Sequence, residues 1–197
     1  MTEKKNYFKF FSEASTNVIT KTALESGNFG LKNYTPECIL LGILRDNSSH
    51  SANLLRRNNL DIDTIRTLVK KNYSIEDIEK PDEMAIYPDP NCRLIIEKAF
   101  EYSKKFKMNS IEPDLFVLAM LEKPEKSLIG ILEIFNVNFS NLYIELIKCL
   151  NYFNSDISNY YRSNPENHIF NSELIFNSKV NKEDKELYET FINRTNK

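Results

Sequence analysis

Glycine and proline are scarce in this sequence, with 4 and 7 of them among 197 residues. Because these two residues interrupt helices and strands, their scarcity favours long helices over a fold built from many turns. Tryptophan is absent, and the three cysteines, Cys38, Cys92 and Cys149, are far apart and form no C-x-x-C pair. Such cysteines predict free thiols in a reducing compartment, where they act as small apolar residues.

A large charge of either sign is also missing, since Lys+Arg 26 balance Asp+Glu 28 to a net charge of −2. The sequence has no excess of basic residues that would indicate a nucleic-acid partner. It also has no apolar stretch that approaches the roughly 18 residues of a membrane-spanning helix. Residues 1–6 lack the apolar core of a signal peptide. We therefore expect no nucleic-acid partner and no membrane. The expected location is cytoplasmic, or a plastid if a transit peptide has been removed.

One helical segment occurs twice in the sequence, at a constant offset of 77 residues. Residues 35–44 match residues 112–121, and the register holds without a gap between residues 18–69 and residues 95–146. A repeat of this size indicates that one unit was duplicated and that the two copies pack on each other. Equivalent positions in the two copies are therefore the first place to look for a functional site.

The second helix of each copy has the clearest local signals. Thr35 can cap it, Pro36 suits its first position, and Glu37 places a carboxylate near its positive end. The apolar runs at residues 39–44 and 115–121 lack a polar face, so they predict central, buried helices. Small residues in the first helix of each copy, Thr22 and Ala99, would let another helix approach closely. Asp61 and Asn138 predict the starts of the fourth helices.

These patterns predict an all-α fold of eight helices, arranged as two pseudo-symmetric four-helix repeats. We place the double repeat at residues 8–151, with repeat one at 11–72 and repeat two at 89–151. Residues 73–88 are predicted to be a charged, solvated linker. Residues 152–197 are predicted to be a polar, aromatic-containing C-terminal tail, either a segment that docks on a partner or one that packs back on the repeats.

The repeat also has the look of a known family. An aromatic and a hydroxyl residue (Phe11-Ser12) precede the first amphipathic helix, and "T/E-P-E/D" precedes a run of aliphatic residues in both copies. This resembles the double Clp repeat, the N-terminal domain of Clp ATPases such as ClpC, ClpA and ClpB, whose signature is G-T-E-H-L-L-L-G-L-L. The resemblance covers residues 8–151. Neither copy keeps the histidine that follows the acid, because Cys38 and Leu115 stand there.

A Clp ATPase continues into nucleotide-binding modules, but this sequence contains no G-x-x-x-x-G-K-[ST] phosphate loop. The chain thus resembles a free-standing Clp N-domain, similar to the accessory subunits that associate with the Clp protease core. The resemblance implies a non-catalytic adaptor or accessory subunit, without a cofactor. Its expected partners are a Clp chaperone ATPase, the Clp protease core or protein substrates.

The resemblance also implies candidate binding residues. In the ClpC-type domain the glutamate of each motif helps to hold a phosphoarginine degradation signal, and the matching positions here are Glu37 and Asp114. The family's threonine before the first helix of each copy maps to Ser12 and Asp89. Asp89 would repel a phosphate, which places the better pocket at Ser12 and Glu37. A degron sensor is therefore the alternative function. Because the motif is altered in both copies, the favoured interpretation is that both acids only stabilise helix N-termini.

The remaining candidates favour structural roles. His50 and His168 lie in polar surroundings with no partners for a metal site or a catalytic triad, so we expect both to be exposed to solvent. Cys38 lies at a helix start that could lower its pKa, or it is a small half-buried residue. Arg56 and Arg57 are expected to lie on a solvated face at the end of the third helix. An enzyme is the least favoured class.

Overall fold

The computed structural model describes residues 6–47, 49–73 and 86–153. Most of the predicted linker, residues 154–197 of the predicted tail and His168 lie outside these residues. The described part contains eight helices: α1 (Glu13–Asn28), α2 (Pro36–Leu44), α3 (His50–Arg57), α4 (Ile62–Asn72), α5 (Pro90–Lys105), α6 (Pro113–Glu122), α7 (Lys126–Ile134) and α8 (Phe139–Phe153). A 3-10 turn (Phe8–Phe10) and two short strands, β1 (Asn33–Tyr34) and β2 (Tyr87–Pro88), complete it. The predicted all-α class with two four-helix repeats is confirmed.

The duplication extends to the backbone conformation. Helix α5 begins and ends 77 residues after α1. The residues with a left-handed backbone that follow the helices are also 77 residues apart. Gly30 (φ 68°) matches Lys107 (φ 51°), and Asn59 (φ 62°) matches Asn136 (φ 53°). Glycine and asparagine adopt this conformation at low cost, whereas a lysine is strained there. The two copies thus share their turns as well as their helices.

The described residues form two compact units. The larger contains α1 to α7, and the smaller contains residues 106–108 and α8. Within the larger unit every residue of α2 and all but the last residue of α6 are buried, which confirms that these are the central helices. Helix α1 packs on α2 as α5 packs on α6. Across the repeats α3 contacts α6, and α7 contacts α2.

Capping side chains begin several helices as the sequence predicted. Asp61 accepts a hydrogen bond from the Thr64 amide at 2.8 Å at the start of α4. In the smaller unit, Asn138 accepts one from the Asn141 amide at 2.9 Å at the start of α8. Thr35 differs, because it precedes α2 but its side chain caps no amide. Its hydroxyl instead lies 3.5 Å from the Cys38 sulfur.

Short backbone pairings join the two repeats within the larger unit, and the sequence did not predict them. Strand β1 pairs with β2 in parallel, and Phe11 forms an isolated parallel bridge with Ile111. The two pairings are equivalent, since Tyr34 matches Ile111 and Phe11 matches Pro88 at the 77-residue offset. Each one joins the segment before the first helix of one repeat to the segment before the second helix of the other.

No single helix in the described part of the chain is long and apolar enough to cross a membrane, although α7 and α8 taken together reach the length and composition of a broken span.

Helices α1 and α2 approach each other closely at Gly42. A Cβ atom at this position would lie 2.2 Å from the Thr22 hydroxyl oxygen and 2.7 Å from the Val18 carbonyl oxygen. Both distances are too short for any real contact. The equivalent pair in repeat two is Ala99 and Ala119, so one copy combines threonine with glycine where the other has two alanines. The small first-helix residues therefore do permit a close helix contact, as predicted.

We expect Gly42→Ala to destabilise the protein by about 1 kcal/mol, measured as the free energy of unfolding in urea. Overpacking against backbone atoms costs about 1–3 kcal/mol and outweighs the gain in helix propensity of about 1 kcal/mol. Gly130→Ala in α7 is the matched control, because nothing lies within 4 Å of its added Cβ. The control should be neutral or stabilising. Equal effects of the two substitutions would contradict the close contact.

Candidate functional site

Glu37 lies in the first turn of α2 and is almost completely buried, with 1% of its surface exposed. Its carboxylate accepts a hydrogen bond from the Tyr73 hydroxyl at 3.2 Å and another from the Ser127 hydroxyl. Tyr73 follows α4 of the same repeat, whereas Ser127 belongs to α7 of repeat two. The acid that the family resemblance assigned to a ligand thus connects the two repeats.

Asp114, the equivalent acid at the start of α6, is 5% exposed and contacts a residue of repeat one. The Nδ1 atom of His50 lies 2.6 Å from its carboxylate oxygen, and both side chains are only 8% exposed. The expectation of a solvent-exposed His50 was therefore wrong. Helix α3 packs on α6, and the buried carboxylate of Asp114 needs a hydrogen-bonding partner that His50 supplies.

The two contacts are equivalent. Glu37 matches Asp114 and Ser127 matches His50 at the same 77-residue offset, so each acid reaches the α3-type helix of the other repeat. Such reciprocal contacts are typical of a two-fold symmetric interface. The lengths compensate as well, because the longer glutamate meets the short serine and the shorter aspartate meets the long histidine. The two pairs therefore differ in the size and the chemistry of both the acid and its partner.

The other two candidate residues act as helix caps. Ser12 accepts a hydrogen bond from the Ser15 amide at 3.1 Å at the start of α1. Asp89 accepts one from the Cys92 amide at 2.6 Å at the start of α5. Their matching roles agree with the alignment of Ser12 with Asp89. Each of the four candidates, including Glu37 and Asp114, thus has a structural partner, and their assignment to a ligand stays a prediction.

Burial also decides the state of nearby titratable groups. Cys38 is completely buried, and burial raises the pKa of its thiol to about 11. It is therefore a small core residue and not an activated thiol. Burial and, next, the neighbouring charge of Glu37 raise the pKa of Tyr73 to about 12, which keeps this hydroxyl protonated as a donor. Nowhere in the described ranges do three or more His, Cys, Asp or Glu side chains form a group that could hold a metal ion.

Another buried acid, which the sequence patterns did not indicate, connects the helices of repeat one. Glu25 of α1 is 1% exposed and accepts hydrogen bonds from Arg45 at 3.2 Å and from Arg66 at 2.6 Å. At the equivalent place in repeat two, the Tyr102 hydroxyl donates to Glu122 at 2.7 Å. Glu122 matches Arg45 at the 77-residue offset, so a comparison of the two copies could have revealed both of these contacts.

The sequence position of Arg56 suggested a freely solvated face, but the structure does not place it on one. Its guanidinium donates to the backbone carbonyls of Leu44 and Asp46 and to the side chain of Asn47. It therefore fixes the loop between α2 and α3, the helix that carries His50. We expected this arginine to complement the helix dipole, but it donates hydrogen bonds to carbonyl groups at the end of α2 and just after it.

We expect His50→Ser and Asp114→Glu to be coupled when the free energy of unfolding is measured in a double-mutant cycle. His50→Ser alone should cost about 1–3 kcal/mol, because it leaves a buried carboxylate without this partner. The double variant recreates the glutamate–serine pair found at Glu37 and Ser127. It should therefore be at least about 1 kcal/mol more stable than the sum of the single effects predicts.

The matched control combines His50→Ser with Glu37→Asp, which changes the partner of one pair and the acid of the other. Their effects should add to within about 0.5 kcal/mol. Equal coupling in both cycles would contradict the specific pairing of Asp114 with His50.

Comparison with known proteins agrees with this architecture. The family model of the Clp repeat (R) N-terminal domain matches residues 10–154. No curated protein matches the sequence. Among solved structures, the N-terminal domain of the caseinolytic protease associated chaperone ClpD from Arabidopsis thaliana is 21% identical. It has a TM-score of 0.57, and the match covers 73% of this chain and 99% of that one.

Two further structures have the same fold. The N-terminal domain of Hsp104 from Candida albicans is 16% identical with a TM-score of 0.55, and the match covers 70% of this chain and 89% of that one. The N-terminal domain of the ClpV1 ATPase from the E. coli EAEC Sci1 T6SS is also 16% identical, with a TM-score of 0.53 and coverage of 75% and 89%. The family match spans most of the chain, and this chain therefore belongs to the Clp repeat N-terminal domain family.

Proposed function

We propose that this chain is a non-catalytic, protein-binding adaptor or accessory subunit of a Clp protease system. It would bind a Clp chaperone, the protease core or a protein substrate. Support comes from its membership of the Clp repeat family and from its fold, which it shares with the N-terminal domains of the protease-associated chaperone ClpD and the ATPase ClpV1. In this role the double repeat is a rigid scaffold that presents surfaces to other proteins.

The cross-repeat pairing of the two motif acids is the observation that favours this proposal over a ligand sensor. Glu37 is bonded to Tyr73 and Ser127, and Asp114 is bonded to His50, with both carboxylates buried. A guanidinium ligand would have to displace these donors, and a hydrogen bond to a charged group contributes about 1.5–3 kcal/mol. The geometry thus favours the scaffold role of the acids and recognition through exposed surface.

The alternative, a sensor of phosphoarginine-type degrons, predicts that a ligand replaces those internal donors. We expect titration with phosphoarginine to leave the amide NMR signals of Glu37 and Asp114, and of the candidate residues Ser12 and Asp89, unshifted. Free arginine at the same concentration controls for ionic effects. Saturable shifts at these residues with phosphoarginine alone would instead establish the sensor function.

We expect affinity-tagged chain, incubated in a native lysate of its own source, to recover a Clp chaperone or the Clp protease core. Mass spectrometry identifies the recovered proteins. The tag alone is the first control, and the same chain denatured before incubation tests whether recovery needs the folded repeat. Recovery of no Clp component by the folded chain would overturn the proposal.

A further inference from the structure

The segment before α1 presents its side chains from a fixed backbone. The Ile111 amide donates to the Phe10 carbonyl at 2.7 Å, and the Ser12 amide donates to the Ile111 carbonyl at 3.1 Å. Within the 3-10 turn, the Phe11 amide donates to the Phe8 carbonyl at 3.1 Å. These bonds hold the segment against the start of α6. A partner that binds here would not have to order it, which lowers the entropic cost of binding.

Aromatic rings cover the side of α5 that faces this segment. The ring centroids of Phe10 and Phe100 are 4.7 Å apart, and those of Tyr7 and Phe100 are 5.3 Å apart. Phe8 packs on Phe11 at 5.1 Å, yet half of its surface (50%) remains exposed. A large apolar ring left half in water on a fixed backbone is available as a contact for an apolar side chain.

Two lysines stand over these rings. The Lys9 ammonium lies 5.0 Å from the centre of the Phe10 ring, and Lys104 lies 5.4 Å from Phe10 and 5.0 Å from Phe100. All three distances fit cation–π contacts. We define the aromatic–lysine patch as Phe8, Lys9, Phe10, Phe100 and Lys104.

The charges of the patch lack acidic partners within the described residues. Neither Lys9 nor Lys104 forms a salt bridge there, whereas nearby Lys98 contacts Glu101 at 3.0 Å and Glu122 at 3.4 Å. On the same helix, Glu97 accepts a hydrogen bond from the Tyr7 hydroxyl at 3.0 Å. This part of the surface therefore has an exposed apolar ring and two ammonium groups that form no salt bridge among the described residues.

We propose that the aromatic–lysine patch docks an acidic protein segment with an apolar anchor residue. The anchor packs on Phe8, and flanking carboxylates pair with Lys9 and Lys104. Complementary charge favours this occupant over a basic segment, which the two ammonium groups repel. The inference deepens the proposed function, on which it rests, by naming a surface and the chemistry of the partner.

The test uses the full chain and a fluorescein-labelled synthetic peptide of twelve residues, aspartate and glutamate around one central phenylalanine. Fluorescence anisotropy should show saturable binding that weakens several-fold when salt is raised from about 0.05 M to 0.3 M, because salt screens exposed charges. A peptide with alanine in place of phenylalanine should bind several-fold more weakly. One with lysines in place of the acids should not bind.

Variants locate the binding. The double variant Lys9→Glu/Lys104→Glu should weaken binding about tenfold or more, and Phe8→Ala should weaken it several-fold. The matched control is Lys70→Glu/Lys71→Glu, which makes the same change in net charge at two exposed positions at the end of α4. It should change the affinity less than about twofold. Thermal unfolding confirms that each variant is folded.

Failure of this inference differs from failure of the proposed function. Absence of binding by the acidic peptide, or equal weakening by the Lys70/Lys71 control pair, overturns the docking surface. If the lysate experiment recovers a Clp component as efficiently with Lys9→Glu/Lys104→Glu as with the unchanged chain, the surface is overturned and the proposed function stands. If peptide binding depends on the patch but no Clp component is recovered, the surface stands and the proposed function falls.

Discussion

Both central helices of this protein begin with a carboxylate that the packing of the repeats removes from water. A buried carboxylate lowers stability unless donors satisfy it, and the N-terminal amides of a helix satisfy it only in part. In this chain each acid has a donor from the other repeat, Ser127 for Glu37 and His50 for Asp114, and Tyr73 adds a donor to Glu37 from its own repeat. The packing of α3 on α6, and of α7 on α2, brings the two cross-repeat donors to the acids.

Other features follow from the same arrangement. Because the repeats face each other through α2 and α6, those helices are buried on all sides and lack a polar face. The short strand pairings lie beside the starts of these helices and join the same repeats through backbone hydrogen bonds. The ends of the central helices are thus fixed by both side chains and main chain, which leaves the outer surfaces for recognition.

Local patterns in the sequence were enough to predict most of the fold. The 77-residue offset gave the number of helices, the apolar runs gave the central pair, and Asp61 and Asn138 were correctly identified as caps. These features depend on residues close in sequence. Strands of two residues carry no pattern of their own, so β1 and β2 could not be found in this way.

The candidate site was predictable only in part. The acids Glu37 and Asp114 stood out because of their motif, but their partners lie far away in sequence and are set by how the repeats pack. His50 looked like a surface residue because its neighbours in the sequence are polar. Its contact with Asp114 becomes visible only when α3 packs on α6. Physical reasoning on one segment at a time cannot supply a donor that comes from another segment.

The reciprocal acid contacts have a consequence for how such a chain could arise. Two identical repeats would meet through self-complementary surfaces, as the subunits of a symmetric dimer do. Joining them in one chain removes the demand that both halves of each contact come from the same sequence. Glu37 with Ser127 and Asp114 with His50 use that freedom: one contact pairs an acid with a hydroxyl, the other with an imidazole. Because the two repeats are joined in one chain, the two halves of this homodimer-like interface can have different residues.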